Sequence, residues 1–259
     1  VGVGNHELDD NESPRAREHT ARFLAYLDDD LSPDRLYYRK DIGAATFLFL
    51  DTNDFTYGEH GERDACPLTI DSDTREGRQL AWLRRQATDL GTRDRLVIAV
   101  MHHPLVQSSE KHYGAACALW NFSDGGEGLA DVLADAGVDV ILTGHTHTYE
   151  RFRMVRSDGR TMQLVNLSGR PRDAFLWIGS GDRRARDIRG EEHAWLEELG
   201  WVGLDHWQIV QEDWMRKEDE ADQFAVFTVE PDGGLTMQVR FLDEDAPDGT
   251  RASETVRLL

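Results

Sequence analysis

The chain has 259 residues, with 29 Lys and Arg against 49 Asp and Glu, for a formal net charge of −20. That balance argues against a nucleic-acid binder that works through a basic surface. Hydrophobic residues make up 39%, enough for a packed core at this length, and the longest apolar runs (Ala44–Leu50 and Val97–Met101) are far too short to span a bilayer.

Along the chain, Val1–Glu7 ends a short apolar run in a tight Gly4-Asn5-His6 turn. Ser13-Pro14 opens a helix, with Ser as N-cap and Pro at the first helical position. Phe23, Leu24 and Leu27 form its predicted apolar stripe, and Asp28-Asp29-Asp30 is a poor end for the helix dipole, so the helix stops before it. Tyr37-Tyr38 and Ala44–Leu50 read as paired strands joined near Asp41-Ile42-Gly43. Residues 54–74 read as a long polar loop. Thr74–Leu90 reads as a helix with Leu80, Leu83, Ala87 and Leu90 on one face. Leu96–Met101 and Val138–Leu142 read as buried strands on either side of a short helix, Gly128–Ala136. This alternation belongs to α/β layers.

Beyond residue 150, short strands are predicted at Phe152–Arg156, Met162–Leu167 and Phe175–Ile178. Further strands are predicted at Phe224–Val229, Leu235–Phe241 and Thr255–Leu258, with a hairpin turn at Pro231-Asp232-Gly233-Gly234. Residues 182–222 stand apart as a charged, Trp-bearing insertion within a single domain spanning 1–259. Trp195, Trp201, Trp207 and Trp214 fall six or seven residues apart, which is no clean helical stripe. The simplest expectation is a helical insertion packing its indoles on a sheet edge; a cap over a site or a dimer surface is the competing one. Cys66 and Cys117 are too few for a disulfide framework, and whether they pair is left open.

Three clusters carry the chemistry: Gly4-Asn5-His6-Glu7, Met101-His102-His103-Pro104, and Gly144-His145-Thr146-His147. Each follows a predicted buried strand, where open α/β sheets place their ligand sites. Imidazole is the commonest ligand of borderline metals, and an amide oxygen can complete such a site. A lone His-His-Pro is more often structural. Core packing alone gives no reason for imidazoles at three strand ends.

In these motifs, and in Gly144–Arg151 above all, the sequence resembles the calcineurin-like metallophosphoesterases, most closely their purple acid phosphatase branch. The resemblance runs from Gly4 to about Gly181. It implies an α/β fold, a sandwich of two mixed β-sheets flanked by helices, with a two-metal centre at the strand ends. It implies that Asn5, His102 and His145 ligate one metal and His147 the other, the metals being divalent or trivalent Fe, Zn or Mn. His6 is then the residue that contacts phosphate and helps the leaving oxygen depart, Glu7 orients His6, and His112 contacts substrate. His103 is expected to be structural, as is Glu150-Arg151, taken as a salt-bridged pair. The implied activity is hydrolysis of a small-molecule phosphate monoester or diester, with metal-bound hydroxide attacking phosphorus.

The family's Asp-x-His and Gly-Asp-x-x-Asp or Gly-Asp-x-x-Tyr motifs, which bring the bridging carboxylate, have no counterpart in the sequence. The expectation is therefore a chain that is the later part of a longer enzyme, lacking the first strand-helix unit. The alternative is a catalytically inactive binding or structural protein of the same fold. Compartment and oligomeric state are not specified by these residues.

Overall fold

A computed structural model of the chain describes residues 3–4, 6–8, 14–26, 30–56, 70–90, 95–107, 128–145, 149–167, 206–214, 223–230, 232–242 and 245–259. After a single 3-10 turn at His6–Leu8, the elements are α1 (Pro14–Leu24), β1 (Tyr38–Ile42), β2 (Ala45–Phe49), α2 (Asn53–Thr56), α3 (Arg75–Leu90), β3 (Leu96–Val100), α4 (Leu129–Asp135), β4 (Val140–Thr143), β5 (Tyr149–Arg156), β6 (Thr161–Leu167), β7 (Trp207–Trp214), β8 (Gln223–Val229), β9 (Leu235–Leu242) and β10 (Thr250–Arg257).

Seven strands form one mixed sheet in the order β1-β2-β3-β4-β6-β5-β7, and three form a second sheet in the order β10-β9-β8. The pairs β2-β3, β3-β4 and β4-β6 are parallel. β1-β2, β5-β6, β5-β7 and both pairs of the small sheet are antiparallel. The central strands alternate between two cores, as the two-residue period of a strand requires. Val97, Ala99, Ile141 and Leu164 face a layer holding Leu80, Leu83, Leu129 and Leu133 of α3 and α4. Leu96, Ile98, Val140 and Val165 face Leu235, Met237 and Val239 of the small sheet. Both faces of the large sheet are thereby covered, which is why its parallel strands read as unbroken apolar runs.

Local details follow from residue chemistry. Thr74 caps α3, its hydroxyl accepting from the Gly77 amide at 3.3 Å. Asp131 reaches back from the first turn of α4 to accept from the Gly128 amide at 3.1 Å. The β1-β2 hairpin turns at Gly43-Ala44, one step later than the sequence predicts. Gly43, with φ +58°, takes the left-handed position that side chains resist, so Asp41 and Ile42 remain in the strand.

Two expectations are corrected. The buried face of α1 is Ala16, Arg17, Thr20, Ala21 and Leu24, while Phe23 is 67% exposed and packs edge-on against Tyr26. At about 100° per residue Phe23 lies about 100° round the helix from Leu24, at the edge of the buried arc. Leu27 lies outside the described residues. Within the Trp-bearing segment, residues 207–214 form a strand, not a helix. β7 borders the large sheet beside β5. Trp207 is buried and its indole N–H donates to Asp131 on α4 at 3.1 Å, so the segment does set an indole against the sheet layers. Phe175–Ile178, Trp195, Trp201, Cys66 and Cys117 lie outside the described residues. Among the described residues no helix is long and apolar enough to cross a membrane.

Candidate metal centre

β2, β3 and β4 run in parallel and end side by side, and their ladder continues into the loops that follow. The Leu50 amide donates to Val100 O at 2.9 Å, Met101 to Leu142 O at 3.0 Å, and Gly144 to His102 O at 2.9 Å. The loops carrying Asp51–Asp54, His102-His103 and His145 therefore leave the sheet in register and converge.

His102, His103 and His145 come together at this edge, one ligand-capable nitrogen from each lying within 4.8 Å of the others. His102 Nε2 and His145 Nδ1 are 3.1 Å apart. His103 is fully buried; its Nδ1 lies 2.9 Å from Thr52 Oγ1, and its own amide donates to the same oxygen at 3.1 Å. Its ring packs 4.8 Å from that of His102 and 4.4 Å from that of His145, centroid to centroid. His103 is thus held by Thr52 and packs behind both neighbouring rings, as part of the same three-histidine group.

His145 has φ +69°, and it is the only non-glycine residue with positive φ among the described residues. A bulky side chain in the left-handed region costs about 1–3 kcal/mol and persists where its surroundings hold it. The turn aims the imidazole back at His102.

Gly4 packs against the other side of His102. A methyl group built on it would lie 2.9 Å from His102 Nδ1 and 2.8 Å from Glu7 Oε2. Glu7 is exposed, and its Oε2 accepts from the Gly4 amide at 2.8 Å, closing the 3-10 turn that includes His6. The motif at residues 4–7 is therefore seated at the histidine cluster. Its Val3-Gly4 lead-in is not part of a described strand. Asn5, His112 and His147 and the His6 side chain lie outside the described residues.

Beneath the cluster lies a buried ionic network that no motif announced. Arg17 of α1, 2% exposed, donates to Asp51 and to Asp54, each at 3.1 Å. Arg75 of α3 also donates to Asp54 at 2.8 Å. Asn53 donates its side-chain amide to Asp51 at 2.9 Å and to Val3 O at 3.3 Å, tying the network to the lead-in of the first motif. Burial, reinforced by the charge of Asp51, holds the Asp54 carboxyl well above the usual carboxylate range against the pull of Arg17 and Arg75. The four consecutive polar residues 51–54 directly after a buried strand were the available signal; the sequence reading placed residues from 54 onward in a loop.

Glu150 and Arg151 do not form the expected pair with each other. Neighbours in a strand point to opposite faces. Glu150 is fully buried and accepts from Asn166 and Gln211, each at 3.3 Å. Arg151 pairs with Glu212 across on β7.

The sequence matches the calcineurin-like phosphoesterase family model over residues 1–149, more than half of the chain. The chain belongs to the calcineurin-like phosphoesterase family. The matched stretch contains all three histidine motifs. Purple acid phosphatase 21 of Arabidopsis thaliana is 29% identical to this phosphoesterase chain over 162 residues, covering 60% of the chain and 31% of the relative. Purple acid phosphatase 22 of the same plant is 28% identical over 162 residues, with the same coverage. The chain thus spans about a third of the length of the curated relatives it matches. Among solved structures, the purple acid phosphatase PPD1 from yellow lupin seeds is similar over 87% of this chain and 33% of its own, at 16% identity and a TM-score of 0.43.

Proposed function

We propose that this phosphoesterase chain carries part of a metal-dependent phosphoric ester hydrolase centre. The observation that carries the reading is the 3.1 Å separation of His102 Nε2 and His145 Nδ1. Two nitrogens bound to one metal at about 2.0–2.1 Å in tetrahedral geometry stand about 3.3 Å apart, so the pair needs little movement to share an ion. The donor set is imidazole, which suits Zn and Fe, and the Asn5 carbonyl oxygen in this reading is the donor that suits Mn. His102 and His145, with Asn5, hold one metal in this reading, and His147 serves a second.

When bound, such an ion draws charge off phosphoryl oxygens and makes water nucleophilic near neutral pH. The chain's residues supply the rest. His6 stabilises the leaving oxygen or gives it a proton, Glu7 braces the turn that presents His6, and His112 touches the substrate. The substrate class is a small phosphate ester.

The test is metal content of the purified, dialysed chain, with His145→Ala beside it, followed by hydrolysis of p-nitrophenyl phosphate and bis-p-nitrophenyl phosphate with Zn2+ or Mn2+ added. The expected result is roughly one ion per chain, lost in the variant, with metal-dependent release of nitrophenol. Equal metal content in wild type and His145→Ala would overturn the ligand assignment. Metal binding without any ester hydrolysis would favour a catalytically inactive relative that kept the fold.

A further inference from the structure

Asn166 sits near the end of β6 with no exposed surface, directly opposite Thr143, the last residue of β4. Thr143 Oγ1 donates to Asn166 Oδ1 at 2.5 Å. The amide nitrogen donates to the Val106 carbonyl at 2.9 Å and to Glu150 Oε2 at 3.3 Å. Glu150 in turn accepts from Gln211 of β7 through its other oxygen.

One buried amide therefore touches three segments. Thr143 lies two residues before His145. Glu150 comes shortly after His147. Val106 belongs to the loop that opens with His102 and His103. A polar amide between apolar neighbours such as Leu164 and Val165 is costly unless its bonds are made, so its partners fix its place and it fixes theirs. His145, in its left-handed conformation, is the residue nearby that needs such restraint.

We propose that Asn166 is a positioning residue. It clasps the loops after β3 and β4 to the strand that follows, and so sets the turn at His145 and the approach of its ring to His102. This rests on the reading of His102 and His145 as metal ligands. Neither Asn166 nor Glu150 contacts the histidine rings through any of these bonds; they act on the backbone that carries them.

The test uses Asn166→Asp, which keeps the size of the side chain, removes both amide donations and sets a carboxylate against Glu150. Adding Glu150→Gln returns a donor from the opposite side of the same hydrogen bond. Nitrogen-15 spectra of the histidine rings in the metal-free chain read the contact between His102 and His145, and titration with Co2+ reads affinity.

Asn166→Asp should shift both ring signals and weaken Co2+ binding about 10–100-fold, as loss of supporting hydrogen bonds does at metal sites. The double variant should recover part of both, since the bond to residue 150 returns while the Val106 carbonyl still lacks its donor. Thr143→Val removes only the hydroxyl donor and should give the same displacement to a smaller degree; it decides the matter if Asn166→Asp does not fold. Ring signals and Co2+ affinity left unchanged by Thr143→Val and by Asn166→Asp would overturn the inference, even with a lowered melting temperature. If the wild-type chain takes up no Co2+ while the ring signals still respond to Asn166→Asp and recover in the double variant, the ligand reading fails and the clasp stands.

Discussion

His102 and His145 meet ring to ring, Nε2 to Nδ1 at 3.1 Å, although 43 residues separate them in the chain. The contact exists because the loops after β3 and β4 leave the sheet in register and because His145 turns back with φ +69°. Backbone strain and the proposed ligand role therefore reside in one residue, and substitution separates them. His145→Gly and His145→Ala should both abolish metal uptake, but the glycine variant should be the more stable of the two by about 1 kcal/mol, since only glycine takes positive φ without steric cost. Urea unfolding of the two metal-free variants measures the difference.

Gly4 leaves no room for a side chain between Glu7 and His102. Gly4→Ala should push the His102 ring aside or break the bond from the Gly4 amide to Glu7. The expected cost is about 1–3 kcal/mol of overpacking, with weaker metal binding. A wild-type melting temperature together with wild-type metal affinity would show that the turn at residues 4–7 yields more easily than this packing implies.

Arg17 is the cation that Asp51 and Asp54 share in a buried site. Arg17→Leu removes it and leaves carboxylates beneath the histidine cluster with Arg75 alone beside Asp54. Breaking a buried pair from one side costs about 3–5 kcal/mol. Denaturant unfolding should show a loss of that order, and the segment through Asn53 to Val3 should loosen with it.

Asp139 predicts a pH dependence. Burial holds its carboxyl above the ordinary value against bonds from the Val97 amide and Arg160. The folded chain then keeps a proton that the unfolded chain has released, so stability falls as pH rises from the ordinary carboxylate value to the raised folded one. Asp139→Asn should remove that part of the slope. The quantity to compare is the difference in unfolding free energy between wild type and variant from pH 3.5 upward; a constant difference would contradict the burial effect.

Trp207 offers a control away from the candidate metal centre. Its indole donates to Asp131 of α4, which also accepts from His206 at 2.9 Å. Trp207→Phe should cost about 0.5–1.5 kcal/mol for the lost bond, more if packing shifts, and leave Co2+ affinity unchanged.

How far the sequence revealed this arrangement varied by element. β3 and β4 were legible because strands buried on both faces need unbroken apolar runs, and α1 and α3 because Pro14 and Thr74 mark helix starts. The meeting of His102 and His145 was legible because imidazoles at two neighbouring strand ends have no packing rationale. β7 was not: its Trp residues carry no two-residue pattern strong enough to outweigh the charged stretch around them. Asn166 and Arg17 were not either, since a single amide in a strand or a single arginine in a helix acquires its meaning only from partners far along the chain. The bond of His103 to Thr52 was not legible, because it depends on a strand pairing that no local motif encodes.

The strand order β4-β6-β5-β7 places the later strand of the β5-β6 hairpin inward, against β4. The hairpin can form locally, but Asn166 reaches Thr143, and the clasp proposed above can form, only when β6 docks. Assembly of the histidine cluster is thus coupled to completion of the sheet's centre, and in a refolding experiment a Co2+ signal should trail the far-ultraviolet signal of the strands. A metal added early would find scattered histidines; one added late would find them already set.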